Sequence, residues 1–204
     1  MKNSMLVILF ILVATSVWGQ KIDFTEFDLD NGLHVILHKD NTAPVVTVGV
    51  LYDVGGKDLG GDNNPERTGF AHFFEHLLFE GTKNIKRGEW DKIEASHGGS
   101  GNAGTDYDKT YYYQTYPSNA LEVVLWMESE RMLHPVIDQV GVDTQNEVVK
   151  EEKRYRNDNA PYGQLLNVIA ENVFPKHPYG NKLVGEMEHL DAATLDEFNA
   201  YFDK

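Results

Sequence analysis

The chain has 204 residues, contains no cysteine and carries a formal net charge of −14 at pH 7. The lack of cysteine excludes disulfide bonds and thiolate metal sites, so any metal must be bound by histidine and carboxylate side chains. The acidic charge argues against nucleic acid as a partner, because phosphate would be repelled.

The N-terminal segment has the composition of a secretory signal peptide. Residues 1–20 combine an early lysine, an apolar core and small residues near the end. The apolar run, residues 6–13, is too short to span a bilayer comfortably, although an uncleaved membrane anchor is the alternative. We therefore predict a signal peptide over residues 1–20, an exported protein that is periplasmic or secreted, and no stable membrane insertion. Residues 21–204 are enough for one domain with a hydrophobic core.

The first elements after this segment are a hairpin, a strand and a helix. An Asn-Gly pair at residues 31–32 between two alternating segments predicts a β-hairpin. The β-branched residues of 45–56 predict a strand. Residues 57–69 are polar and glycine-rich and predict a loop. The apolar spacing of residues 69–80 predicts a helix that ends at the glycine following it.

Further along the chain, short strands give way to longer helices. We predict a short helix over residues 89–96, a glycine-rich loop over 97–105 and a tyrosine-rich strand over 109–117. Ser118 is placed to cap a helix over residues 119–133.

The C-terminal part of the sequence is predicted to be helical. A charged helix covers residues 143–156, and a further helix covers residues 165–174. The sequence TLDE at 194–197 is a capping box that opens a last helix, which has hardly begun at Lys204, so we expect the chain to be a fragment. Strands and helices mixed without βαβ regularity predict an α+β fold.

The segment HFFEH, residues 72–76, places three titratable side chains inside an apolar helix. Residues four apart lie on one helix face, so His72 and His76 can chelate one ion, and Glu75 borders the same face. Zinc suits such ligands and lowers the pKa of bound water, whose proton a neighbouring carboxylate can accept. The order H-x-x-E-H is known from one class of zinc peptidases. The alternative is that these histidines are hydrogen-bonded core residues.

A third metal ligand has to come from another part of the chain. The predicted acidic helix offers Glu147, Glu151 and Glu152. Spacing does not choose among them: Glu147 and Glu151 share one helix face, whereas Glu152 points about 100° away from Glu151. Without further information, an acidic helix of this kind is commonly a solvated surface.

Several segments in succession resemble the pitrilysin/insulysin family of zinc metallopeptidases, the inverzincins, and most of all bacterial relatives of the mitochondrial processing peptidase. The segments are NGLHVIL, DVGGKD, TGFAHFFEHLLFEGT, GGSGNAGTDYDKTYYY, LWMESERM, EVVKEEKRYRNDNAPYG and HPYGNKLVGEMEHLDAAT. The resemblance implies an α+β fold with a mostly antiparallel sheet packed with helices. Residues 21–204 then form the N-terminal catalytic domain, which is half of a two-domain clamshell.

The same resemblance implies a metal site and a reaction. One Zn²⁺ ion is held by His72, His76 and Glu152, and Glu75 is the general base that activates a zinc-bound water. The expected activity is that of a metalloendopeptidase that hydrolyses peptide bonds in peptides or unfolded proteins.

Two further features follow from the resemblance. Some family members have a supporting glutamate seven residues before the third ligand; Gln145 occupies that position here, with Glu147 close by. The stretch GNAGT, with Asn102 and Ala103, matches the sheet edge along which the family binds substrate as an added strand. From its residues alone, this stretch would be a glycine-rich turn.

The resemblance also implies a partner. Family members need a second homologous domain, which closes over the peptide and typically supplies an Arg/Tyr pair, and we expect such a domain or a partner subunit here. The alternative function is a non-catalytic binding or scaffold subunit, or an inactive fragment of the same fold. Such subunits typically lose part of H-x-x-E-H, which is intact here, so the sequence favours the enzyme.

Overall fold

The computed structural model describes residues 22–203. The predicted signal peptide, residues 1–20, lies outside the described residues. The chain divides after Pro44 into two compact units. Over residues 22–203, no helix combines the length and the apolar character needed to cross a membrane.

The first unit contains the predicted hairpin, which is confirmed. Strands β1 (Phe24–Asp28) and β2 (His34–His38) pair in antiparallel register. Gly32 in the turn has a φ of 87°, a conformation that glycine adopts without steric strain.

The second unit contains a three-stranded antiparallel sheet in the order β3–β5–β4. Its strands are β3 (Val45–Tyr52), β4 (Ser100–Thr105) and β5 (Thr110–Pro117). The prediction of a loop over residues 97–105 is therefore wrong for β4. Its glycines disfavour a strand locally, but β5 pairs with all six of its residues and satisfies one side of its backbone.

Most of the secondary structure in the second unit is helical. They are α1 (Gly60–Asn63), α2 (Phe70–Leu77), α3 (Trp90–Ser96), α4 (Leu121–Leu133), α5 (Gln139–Lys153), α6 (Leu165–Val173), α7 (Met187–Ala192) and α8 (Leu195–Phe202). A π-helical turn, Arg154–Asp158, follows α5, and single 3-10 turns lie at Ser118–Ala120 and Pro178–Gly180.

Most predicted helices are confirmed, with differences at their ends. Helix α5 begins at Gln139, before the predicted residue 143, because Asp138 caps it by accepting a hydrogen bond of 2.8 Å from the amide of Gly141. Ser118 does not cap α4, since it lies in the preceding 3-10 turn. The capping box at Thr194 and Glu197 is present. Helix α1 lies in a segment predicted as a loop, and α7 has no predicted counterpart.

Two hydrophobic clusters form the core of this unit. One joins α2, α5, α7 and α8 through Phe70, Phe73, Leu77, Val142, Val149, Leu190 and Phe198. The other lies around α3, α4 and β5 and contains Ile85, Trp90, Tyr116, Ala120, Val124 and Met127. The fold is α+β with antiparallel sheets, as predicted, and its first cluster packs α2 against α5.

Candidate metal centre

Helix α2 positions the HFFEH residues. It begins after Gly69, and its buried apolar residues recur at helical spacing, which leaves His72 and His76 partly buried beside each other. Their ring centroids are 4.8 Å apart, and the ring planes are nearly perpendicular, at 79°. The two imidazoles therefore converge on one point beside the helix.

Helix α5 brings Glu152 to these rings. Its Oε2 lies 3.3 Å from Nε2 of His76 and 3.7 Å from Nε2 of His72. One ligand atom from each of the three residues lies within 4.8 Å of the other two. Two imidazoles and a carboxylate are the donor set of many catalytic zinc sites, which keep a further position open, so these residues fit zinc.

The other two candidate glutamates lie apart from the histidines. The side chains of Glu147 and Glu151 are 70% and 72% exposed. Glu147 pairs with Lys150, and Glu151 pairs with Arg154, each at 2.9 Å. Of the three glutamates that helical spacing left open, only Glu152 is brought to His72 and His76. Glu147, although close to Gln145 in sequence, has its carboxylate on the surface beside Lys150.

Glu75 is held at both its side chain and its backbone. Its carboxylate is buried, and Oε2 accepts a hydrogen bond of 2.5 Å from Oγ1 of Thr105 at the end of β4. Its carbonyl oxygen accepts a hydrogen bond of 3.2 Å from the hydroxyl of Tyr112 on β5. The sheet therefore fixes the position of the glutamate beside the two histidines.

The pKa values of the two histidines are shifted in opposite directions. Burial and repulsion from His76 lower the pKa of His72 to about 4. Burial also opposes protonation of His76, but the hydrogen bond and negative charge of Glu152 outweigh it, so the pKa of His76 is raised. The same hydrogen bond lowers the pKa of Glu152. Burial raises the pKa of Glu75, against the opposing hydrogen bond from Thr105.

Two further polar side chains contact the candidate ligands. Oε1 of Gln145 lies 3.1 Å from Nδ1 of His76. Gln145 occupies the position where the family resemblance implies a supporting glutamate. Nη1 of Arg156 lies 2.6 Å from Oε1 of Glu152. Sequence reasoning missed Arg156, although its spacing of four residues from Glu152 on a helix would have indicated the pair. It also missed Thr105, for which the sequence offers no signal.

These residues line a cleft of about 570 Å³. Residues 102–105 of β4 form one wall, and β4 pairs only with β5 among the described strands, so its second edge is open. Asn102 and Ala103 lie on this wall, and the amide of Ala103 donates to Oδ1 of Asn102 at 2.9 Å.

A close approach of two glycines shapes another part of the cleft. Gly69 has a φ of 77°, and a Cβ atom there would lie 2.3 Å from the carbonyl oxygen of Val184. Gly185 has a φ of 92°, and a Cβ atom there would lie 2.5 Å from a backbone oxygen of the facing segment. The absence of side chains lets Leu183 and Val184 reach the cleft and give it apolar surface.

Comparison with known proteins identifies relatives over most of the chain. A family profile described as insulinase, peptidase family M16, matches residues 34–187. The zinc protease PqqE of Helicobacter pylori is 34% identical over 174 residues, which are 85% of this chain and 38% of PqqE. Human insulin-degrading enzyme is 31% identical over 180 residues, which are 87% of this chain and 17% of that enzyme.

A solved structure shares the fold. The crystal structure of a protease from Helicobacter pylori is similar with a TM-score of 0.83 at 32% identity, over 89% of this chain and 43% of that protein. This chain thus spans less than half the length of these relatives.

Proposed function

The chain belongs to the insulinase family of peptidases, family M16, and we propose that it supplies the catalytic part of a zinc-dependent metalloendopeptidase. Its substrates are peptides or unfolded proteins, which an open cleft can admit as extended chains. The observation that carries the proposal is the convergence of His72, His76 and Glu152 beside the buried carboxylate of Glu75.

His72, His76 and Glu152 would hold one zinc ion. When bound, zinc supplies Lewis acidity, which acidifies water and polarises a carbonyl group. The low pKa of His72 keeps this imidazole neutral at physiological pH, as a ligand must be. The carboxylate of Glu152 complements the two imidazoles, and Arg156 holds its second oxygen.

Glu75 acts as the general base in this mechanism. Thr105 occupies Oε2 of the carboxylate, so Oε1 is the oxygen left to accept a proton from the attacking water. The same carboxyl group then donates that proton to the nitrogen of the departing amine. Burial raises the pKa of Glu75, which brings the carboxyl closer to the range in which it can both accept and release a proton.

Substrate binding is proposed to use the open edge of β4. An extended peptide pairing with the backbone around Asn102 and Ala103 would lie along the cleft wall that continues to Thr105. Residues 102–105 would then position both the substrate strand and, through Thr105, the general base Glu75.

A second homologous domain or a partner subunit is proposed to close the cleft. The chain spans 38% of PqqE and 43% of the solved Helicobacter protease, so these relatives contain further residues to which it has no counterpart. Helix α6 supports a further packing partner, because most of its apolar side chains are exposed: Leu165, Leu166, Val168, Ile169 and Val173.

Export to the periplasm or the exterior is also proposed. It rests on the signal-peptide pattern of residues 1–20, which lie outside the described part of the chain.

The test starts with metal content and continues with cleavage. The purified chain is loaded with zinc, its metal content is measured, and cleavage of an unfolded fluorogenic peptide is followed with and without a chelator, alone and with the completing domain. We expect one zinc per chain and chelator-sensitive cleavage that Glu75→Gln reduces by about 100-fold or more. The control is Glu151→Gln on the exposed face of α5. Absence of stoichiometric zinc, or full activity of Glu75→Gln, contradicts the proposal.

A further inference from the structure

A chain of polar side chains extends from His76 away from the cleft. Nδ1 of His76 lies 3.1 Å from Oε1 of Gln145, and Nε2 of Gln145 donates a hydrogen bond to Oε1 of Glu80. Glu80 lies in the turn that follows the end of α2 at Leu77 and is only 8% exposed. Gln145 therefore lies between a histidine of the candidate metal centre and a buried carboxylate.

The carboxylate of Glu80 determines which way the Gln145 amide faces. A side-chain amide has a donor end and an acceptor end, whereas a carboxylate only accepts hydrogen bonds. The NH₂ group of Gln145 must therefore face Glu80, and its carbonyl oxygen must face His76. Because a carbonyl oxygen cannot donate, the proton between Gln145 and His76 belongs to Nδ1 of the histidine. A proton on Nδ1 of a neutral imidazole leaves the lone pair of Nε2 free, and Nε2 is the nitrogen nearest to Glu152.

Glu80 is itself fixed by a guanidinium group. Nε of Arg87 donates to Oε2 of Glu80, and Nη2 of Arg87 donates to Oδ1 of Asp138 at 2.7 Å. The same oxygen of Asp138 caps α5 by accepting from Gly141 at 2.8 Å. These contacts connect the end of α2 with the start of α5, the two helices that carry the candidate ligands.

His72 has no equivalent hydrogen-bond partner. Nδ1 of His72 is buried and has no hydrogen-bond partner among residues 22–203. Of the two imidazoles, only that of His76 therefore has a side-chain partner at Nδ1 among residues 22–203.

We infer that Glu80 is a positioning residue, which orients the Gln145 amide so that it accepts from Nδ1 of His76 and directs Nε2 to the metal. The inference rests on the proposed zinc site. An acceptor at the outer nitrogen of a ligating histidine fixes the ring and raises its basicity. A glutamine in this role can present either end, so it depends on Glu80 in a way that a glutamate at position 145 would not.

The decisive variant is the isosteric Glu80→Gln. Its carbonyl oxygen is drawn to the charged Arg87, because hydrogen bonds to a charged group are the stronger ones. Its NH₂ group then faces Gln145, which has to turn its own NH₂ group towards His76. We expect zinc affinity, measured by competition with a chromophoric chelator, to fall by about 10-fold. The double variant Glu80→Gln/Gln145→Glu restores an acceptor for both neighbours, and its affinity should return to within about threefold of the parent.

A matched control separates this effect from a loss of stability. Glu130 is 6% exposed and holds the same loop through Thr82 at 2.9 Å and Asn84 at 2.8 Å. Glu130→Gln is expected to leave zinc affinity unchanged. A purely structural role for Glu80 predicts equal losses in both variants and no restoration by Gln145→Glu, and either result overturns the inference.

A second measurement does not depend on zinc. In the zinc-free chain at mildly acidic pH, the Nδ1 proton of His76 should give an imidazole N–H signal that is protected from solvent exchange in NMR spectra. Protection should be lost in Glu80→Gln and should return in the double variant. If the parent protein shows no protected signal, or if Glu80→Gln keeps it, the inference is wrong. A parent that shows this signal but binds no zinc contradicts the proposed function and leaves the orientation by Glu80 standing.

Discussion

Oγ1 of Thr105 donates a hydrogen bond of 2.5 Å to Oε2 of Glu75, and this bond connects the edge strand β4 to helix α2. Thr105 also pairs with Thr110 of β5 through the backbone. The proposed base is therefore attached to the strand that is proposed to receive the substrate. A change at this hydroxyl should affect the chemical step without affecting the metal ligands.

The first prediction concerns Thr105. Thr105→Val keeps the shape of the side chain and removes the donor, so the Glu75 carboxylate loses the contact that fixes it. We expect kcat of the completed enzyme to fall by about 10-fold or more, from the usual contribution of a hydrogen bond to a charged group. Zinc content and KM should stay near those of the parent, and Thr105→Ser should recover most of kcat.

The control for this prediction is Thr115→Val on β5. Its hydroxyl pairs with that of Thr47 at 2.9 Å, away from the cleft. A loss of kcat in this control equal to that of Thr105→Val would show that any threonine of the sheet has the same effect, and would contradict the role of Thr105.

The second prediction compares two adjacent glutamates. Glu152→Ala removes a carboxylate oxygen that lies 3.3 Å from His76, whereas Glu151→Ala removes an exposed partner of Arg154. Chelator competition should show zinc affinity reduced by more than about 100-fold for the first variant, the upper end of what loss of an outer-shell partner causes. The second variant should match the parent. The reverse pattern would assign the third ligand to Glu151.

The third prediction is a pH dependence of stability. The Gly141 amide and the Arg87 guanidinium hold the pKa of Asp138 below its ordinary 3.8. A lowered folded-state pKa adds stability that is complete above the unfolded pKa and disappears as the pH falls through the folded value. Asp138→Asn keeps a capping oxygen and loses the charge, so it should be less stable than the parent at pH 7, and the difference should vanish once the pH has fallen below the lowered pKa of Asp138.

The size of this effect should be small. The Asp138 side chain is 43% exposed, so solvent screens its charge, and the difference at pH 7 should be about 0.5 kcal/mol. Urea unfolding of both proteins across this pH range measures it. A difference that persists unchanged at acidic pH would show that the charge of Asp138 does not contribute.

The fourth prediction concerns a buried ion pair beneath the sheet. Nε of Arg131 bonds to Glu128 at 3.1 Å, and both side chains are buried. The guanidinium also lies 4.0–4.4 Å from the centroids of three rings, those of Phe79, Trp90 and Tyr112. Arg131→Met leaves the Glu128 charge buried and unpaired, which should lower the free energy of unfolding by about 3–5 kcal/mol in urea titrations.

An exposed pair of the same spacing provides the control. Arg154 and Glu151 are 2.9 Å apart and largely in solvent. Arg154→Met should change the free energy of unfolding by less than about 0.5 kcal/mol. Comparable losses of unfolding free energy in the two variants would show that burial does not determine the contribution of the Arg131 pair to stability.

Local patterns in the sequence were enough to predict the two helices that carry the candidate metal ligands. The apolar spacing around HFFEH predicted α2, and the capping box at Thr194 predicted the start of α8. Strand β4 was mispredicted, because its glycines oppose a strand and only pairing with the distant residues of β5 favours one. The early start of α5 was missed, because the capping contact of Asp138 was not recognised.

The site itself was predictable only in part. Helical spacing grouped His72, Glu75 and His76, but it left three glutamates as candidates, and family resemblance made the choice of Glu152. No local pattern could reveal the bond between Gln145 and Glu80, because the two residues are 65 positions apart and meet only through helix packing. The hydroxyl of Thr105 at Glu75 was unpredictable for the same reason.

The distance along the chain between the two halves of the site also sets the order of events in biogenesis. His76 and Gln145, on the two helices that carry the candidate ligands, are 69 positions apart. Contacts of such long range form late and require closure of a large loop. An unfolded polypeptide can offer an ion only the pair of histidines, so tight capture has to wait until tertiary structure is complete. At the proposed zinc site, tight metal binding would therefore follow folding, and the unfolded chain would carry no tightly bound ion.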